Sequence, residues 1–128
     1  MFGFGVLIDC HSMPRLSRSG DRLAPDIVLG DRYGTTCSPA LADLVEMVFA
    51  GAGLRVARNR PYAGGFCTRS YGRPQHGVHA IQMELAQITH LATEAPPFAY
   101  DAGKAEVLRR HLKDILTSIE AIALELKR

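Results

Sequence analysis

The segment Val78-His-Ala-Ile-Gln-Met-Glu-Leu85 constrains this chain more than any other. Its apolar residues recur with period two, the signature of a β-strand. Alternation sets His79, Ile81, Met83 and Leu85 on one face and Val78, Ala80, Gln82 and Glu84 on the other. Glu84 then shares a face with small apolar residues, a costly place for a carboxylate unless something there uses it.

The segments before this strand supply the rest of an α/β succession. Phe4-Gly-Val-Leu-Ile-Asp9 reads as a buried strand, with Asp9 and His11 at or just past its end. Ser, Arg, Gly, Asp and Pro dominate from Cys10 to Gly34, which predicts a loop interrupted by a brief strand at Ile27-Val-Leu29. Ser38 is placed to cap a helix whose first residue is Pro39. Leu41, Leu44, Val45, Val48, Phe49 and Ala52 follow at helical spacing, and Gly53 ends the run. Leu54 to Ala57 reads as a third strand, and Asn59 to Gly77 as a long irregular segment. Beyond Pro96-Pro97, Asp101 can cap a long terminal helix with a stripe of Leu108, Leu112, Ile115, Leu116, Ile119, Ile122, Ala123 and Leu126. The expected architecture is one α/β domain over residues 1–128: a mixed sheet flanked by helices, with a long C-terminal helix.

Composition excludes several classes of function. At 128 residues the chain has room for a single core, and 47% hydrophobic residues rule out wholesale disorder. No apolar run approaches the ~18 residues of a membrane span, and Asp9 interrupts the apolar start, so neither a membrane anchor nor a signal peptide is expected. Cys10, Cys37 and Cys67 share no paired spacing, which fits a reducing cytoplasm and argues against a disulfide framework or a structural zinc cluster. A net charge of +2 is too mild to imply nucleic acid.

The residues able to do chemistry fall in three places. Asp9-Cys-His-Ser12 sits at a strand end, where ligands gather in open α/β sheets; there His11 could bind zinc with a carboxylate fixing its tautomer. The plainer alternative is a hydrogen-bonded core histidine. Glu84, drawn into an apolar strand, would have the raised pKa of a general base, or else would sit at a sheet edge with its head in water. Asn59-Arg-Pro-Tyr-Ala-Gly-Gly65 and Thr68-Arg-Ser-Tyr-Gly-Arg-Pro74 combine glycines with Arg, Asn and Tyr, a composition suited to clamping a small carboxylate. RNA binding is the competing use of such loops, disfavoured by the low charge and the absence of Trp. His76 and His79 form the remaining close pair, for which a structural role is expected.

Together, Leu7-Ile-Asp-Cys-His-Ser-Met-Pro14, Asp26-Ile-Val-Leu-Gly-Asp-Arg-Tyr-Gly-Thr-Thr-Cys37, Asn59-Arg-Pro-Tyr-Ala-Gly-Gly65 and Tyr71-Gly-Arg-Pro74 through Gln82-Met-Glu84 resemble the N-formylglutamate amidohydrolase family. The resemblance implies a partial zinc-carboxypeptidase-like (phosphorylase/hydrolase-like) α/β fold. It also implies zinc-dependent hydrolysis of the formamide of N-formyl-L-glutamate, late in histidine breakdown. It assigns zinc ligation to His11, activation of water to Glu84, and the substrate's carboxylates to Arg32, Asn59, Arg69 and Tyr71. Family members are longer, and what is expected to be missing is an N-terminal half bringing the first strands and a further His/acid pair. One histidine cannot hold catalytic zinc, which takes about three protein ligands. The chain is therefore expected to be a truncated form of the enzyme, or a non-catalytic remnant that binds a small dicarboxylate or serves as an assembly partner. Its uncovered strand edge leads to the expectation of a homo-oligomer.

Overall fold

The computed structural model describes residues 3–17 and 23–126; Met1 and the middle of the loop expected over Cys10–Gly34 fall outside them. Four strands, β1 (Gly5–Met13), β2 (Ile27–Gly30), β3 (Val56–Arg58) and β4 (Val78–Ala86), form one sheet in the order β1-β4-β2-β3. β4 pairs in parallel with β1 and antiparallel with β2, and β2 pairs in parallel with β3, so the sheet is mixed. The helices are α1 (Pro39–Gly51), α2 (Phe66–Tyr71) and α3 (Ala102–Leu126), with short 3₁₀ turns at Pro74–His76 and Gln87–Thr89.

β4 lies inside the sheet and is buried on both faces, which explains why its sequence is so apolar. On one face Ile81 and Met83 join Ile27 and Leu29 in a core closed by Leu41, Val45 and Phe49 of α1 and by Ile115 and Ile119 of α3. Burying each such side chain stabilises the fold by about 1.5–3 kcal/mol relative to exposure. On the opposite face Met13, Val28 and Ala86 form a smaller cluster with Leu16, Ala57 and Ile88.

Several boundaries differ from the sequence-based expectation. β1 does not stop near Asp9 but runs to Met13, because its pairing with β4 continues as far as Met13 opposite Ala86 and both side chains are buried. His11 therefore lies within the strand. The segment 59–77 is not irregular throughout: Phe66 to Tyr71 closes a short helix, with the buried Thr68 hydroxyl donating to the Gly65 carbonyl. Ser38 does stand at the N-cap of α1, yet its side chain makes no capping bond.

Asp101 caps α3 as its position suggests, its carboxylate accepting the Lys104 N–H at 2.9 Å. The buried stripe is narrower than expected. Leu108, Leu112, Ile115, Ile119, Ile122 and Leu126 pack inward at alternating steps of four and three, whereas Leu116 is 57% exposed. Next to Ile115, it points about 100° away from the seam. No helix among the described residues is long and apolar enough to cross a membrane.

Candidate functional site

Parallel pairing sets Asp9 opposite Gln82 and His11 opposite Glu84. Paired residues point to the same side of a sheet, so these four side chains share one face. That face is opposite the one covered by α1 and α3.

On β1, His11 Nε2 lies 3.0 Å from Asp9 Oδ1. The two are separated by a single residue, and strand alternation alone brings them together. The hydrogen bond to Asp9 is the largest influence raising the imidazole's pKa; desolvation opposes it, and the charges of Asp9 and Glu84 add to it. His11 is half exposed and open to a ligand.

Glu84 is buried, at 8% exposure. Desolvation is the main reason its carboxyl sits above the ordinary range, with His11 pulling it down and Asp9 pushing it up. Its Oε1 accepts a 3.0 Å hydrogen bond from Gln82 Nε2, and Gln82 Oε1 accepts the backbone N–H of Gly65, also at 3.0 Å. Oε2 of Glu84 has no hydrogen-bond partner among the described residues, yet no fully buried polar side-chain atom is left unpartnered. That second oxygen therefore reaches the surface of the site.

The loop above this face approaches as closely as backbone can. A Cβ on Gly30 would fall 2.5 Å from the carbonyl carbon of Ala63, so only glycine fits beneath the Ala63-Gly64 peptide. Arg32 fastens to the same turn, its N–H bonding the Ala63 carbonyl at 2.8 Å and its guanidinium the Gly64 carbonyl at 3.3 Å.

Arg32, Tyr33 and Asn59 all adopt left-handed backbone, with φ of 51°, 58° and 63°. Such conformations cost of order 1 kcal/mol or more for residues with side chains and persist where surrounding bonds over-determine them. Here the Asn59 amide supplies those bonds. Its oxygen accepts the N–H groups of Asp31 and Tyr33, and its nitrogen donates to Asp31 Oδ1. Asp31 is almost wholly buried and also pairs with Arg58 at 2.8 Å. Burial pushes its carboxyl up, but bonds from Asn59, Gly34 and Arg58 outweigh that and hold it below its ordinary value.

The structure thus joins His11, Glu84 and Arg32 to one face and its overlying turn. Asn59 belongs to the frame of that turn. Arg69 and Tyr71 ride on α2, which packs against β4 and β1; both are exposed, with no side-chain hydrogen bond to His11 or Glu84 among the described residues. His79 faces the other side of β4 and does not reach the site. Sequence reasoning missed the bridging role of Gln82 and the Asp31–Arg58 pair. Gln82 was visible as the residue two before Glu84 on the same face. Nothing local connected Asp31 to Arg58.

A family model described as N-formylglutamate amidohydrolase matches residues 1–91. The chain belongs to the N-formylglutamate amidohydrolase family. It is 42% identical over 122 residues to an N-formylglutamate deformylase of Pseudomonas aeruginosa, a match covering 94% of this chain and 46% of that protein. A Pseudomonas putida N-formylglutamate deformylase is 37% identical, again over 94% of this chain and 45% of its own length. The crystal structure of an N-formylglutamate amidohydrolase from Ralstonia eutropha JMP134 superposes with a TM-score of 0.74 at 34% identity, covering 94% of this chain and 43% of the other. The chain spans a little under half the length of these family members.

Family resemblance implies zinc, whose catalytic sites take about three protein ligands. Among the described residues no group of three or more His, Cys, Asp or Glu side chains is arranged to hold a metal ion. The residues around His11 do not fit a complete zinc site.

Proposed function

We propose that this chain carries the general base and part of the carboxylate-holding surface of a site that hydrolyses the formamide of N-formyl-L-glutamate to formate and L-glutamate. The observation that carries this reading is the pairing of His11 with Glu84 across β1 and β4, beneath a glycine turn held by Arg32.

Glu84 is suited to the role because burial raises its proton affinity while one oxygen stays reachable. Water positioned at Oε2 attacks the formyl carbon as Glu84 takes its proton. The same carboxyl then returns that proton to the leaving nitrogen as the C–N bond breaks, releasing formate and the amine of L-glutamate. Arg32, Arg69 and Tyr71 are assigned to the substrate's carboxylates, with Asn59 holding the turn in shape. His11 is assigned as a single zinc ligand; the other ligands would come from the length of the relatives that this chain does not span, or from a second copy.

One α/β domain accounts for the chain, and its outer β1 edge favours association with a second copy. Three free thiols suit a reducing cytoplasm. A second reading, a dicarboxylate-binding domain without hydrolysis, is favoured by one observation, the incomplete donor set around His11.

One experiment separates the two. The purified protein is incubated with N-formyl-L-glutamate, with and without added zinc, and formate is followed by proton NMR. Formate release supports the hydrolase. Saturable binding of L-glutamate without formate at any zinc level supports the binding domain.

A further inference from the structure

The Gln82 amide can be oriented only one way. A backbone N–H must donate to oxygen, so Gly65 fixes Oε1 toward the glycine turn and leaves Nε2 facing Glu84. Gln82 is buried, at 6% exposure; its bond to Glu84 is made away from water, where a lost partner is costly, and the one from Gly65 is half-buried. The turn it touches is the one that Arg32 grips through Ala63 and Gly64 and that leaves no room for a side chain at Gly30.

We propose that Gln82 is a positioning residue that couples the Gly64-Gly65 turn to Glu84, so that the carboxylate-holding loop and the base are held as one unit. The proposal rests on the hydrolase reading of Glu84. By occupying Oε1, the Gln82 amide fixes the plane of the carboxylate and directs Oε2 to the reacting water. Movement of the turn on binding a substrate carboxylate is passed through the Gln82 amide to the base.

Two variants separate positioning from packing. Gln82→Met keeps length and volume but removes both bonds. Gln82→Glu keeps the acceptor for Gly65 but replaces the neutral donor by a second carboxyl beside Glu84, so that the two share a proton and the base itself is perturbed. With N-formyl-L-glutamate, both variants should lower kcat about 10–100-fold while KM stays within about threefold, the pattern of a group that positions the reacting residue. A residue that only fills space would lose nothing in Gln82→Met, so wild-type kcat in that variant overturns the proposal.

The second readout is hydrogen exchange at the Gly65 amide, which needs no turnover. Exchange should quicken roughly tenfold in Gln82→Met and measurably in Glu84→Leu, where Gln82 loses the partner that holds it. Unchanged exchange in either variant overturns the coupling. If the wild-type protein releases no formate, the hydrolase reading fails on its own, and the exchange data still decide whether Gln82 links turn and carboxylate.

Discussion

His79 Nδ1 accepts a 2.9 Å hydrogen bond from the backbone N–H of Ser38, tying β4 to the first residue of the α1 cap. It satisfies the N–H of Ser38 itself, whose own side chain makes no cap. It requires Nδ1 to be unprotonated, so the proton of the neutral ring sits on Nε2. His79 is buried beside the Phe4 ring at a centroid distance of 5.2 Å, and desolvation lowers its pKa from 6.5.

The sign of the resulting pH dependence follows from linkage. The unfolded state binds a proton at higher pH than the folded state does, so His79's contribution is complete above 6.5 and declines as pH falls below it. Urea midpoints measured between about pH 7.5 and 5 should fall for the wild type more steeply than for His79→Gln. Parallel profiles would remove His79 from this role.

Gly30→Ala tests the close approach of the turn to the sheet. Its methyl would meet the Ala63 carbonyl carbon at 2.5 Å, and backbone must move to admit it. The expected loss of stability is about 1–3 kcal/mol by urea denaturation, as for other overpacked sites. An unchanged midpoint would mean that the turn yields freely.

Arg58→Met tests the ion pair beneath the same loop. Arg58 bonds Asp31 at 2.8 Å and also reaches Asp43 and Glu46 on α1. Removing it strands a buried carboxylate, though Asn59 and the Gly34 N–H still bond Asp31. A loss of about 2–3 kcal/mol is expected, less than for a charge left wholly unpaired. The double change Arg58→Met with Asp31→Asn should recover part of it.

Local signals carried most of the framework and half of the site. Alternation over Val78–Leu85 set Glu84 beside Gln82 and away from Ile81 and Met83, and the two do share the face opposite the core that Ile81 and Met83 enter. The helix beginning at Pro39 and the Asp101 cap were equally plain, because capping and helical periodicity are short-range properties. The end of β1 was not legible, since Asp9-Cys-His-Ser12 is polar and stays in the strand only through pairing with β4, more than sixty positions away. α2 was hidden because Phe66-Cys-Thr-Arg-Ser-Tyr71 has little apolar periodicity and flanking glycines. Long-range pairs such as Arg58 with Asp31 have no local signature at all.

The cysteines differ in reach. Cys37 is fully buried, and burial, with Asp31 nearby, pushes its thiol up to about 12. Cys10 is exposed on β1, although desolvation and Asp9 raise its pKa as well. A maleimide added to the native protein should modify Cys10 and leave Cys37 untouched until urea unfolds the chain. Mass mapping of the labelled peptides reads both, and native labelling of Cys37 would contradict the packing of α1.

The most direct test is formate release from saturating N-formyl-L-glutamate, with zinc present, by the wild-type protein and by Glu84→Gln. The substitution keeps size and hydrogen bonding but removes the capacity to take a proton at neutral pH. Turnover should fall at least about 100-fold, the scale of a lost general base, with substrate binding nearly unchanged. Formate release by Glu84→Gln at the wild-type rate would contradict the assignment of Glu84 as the base.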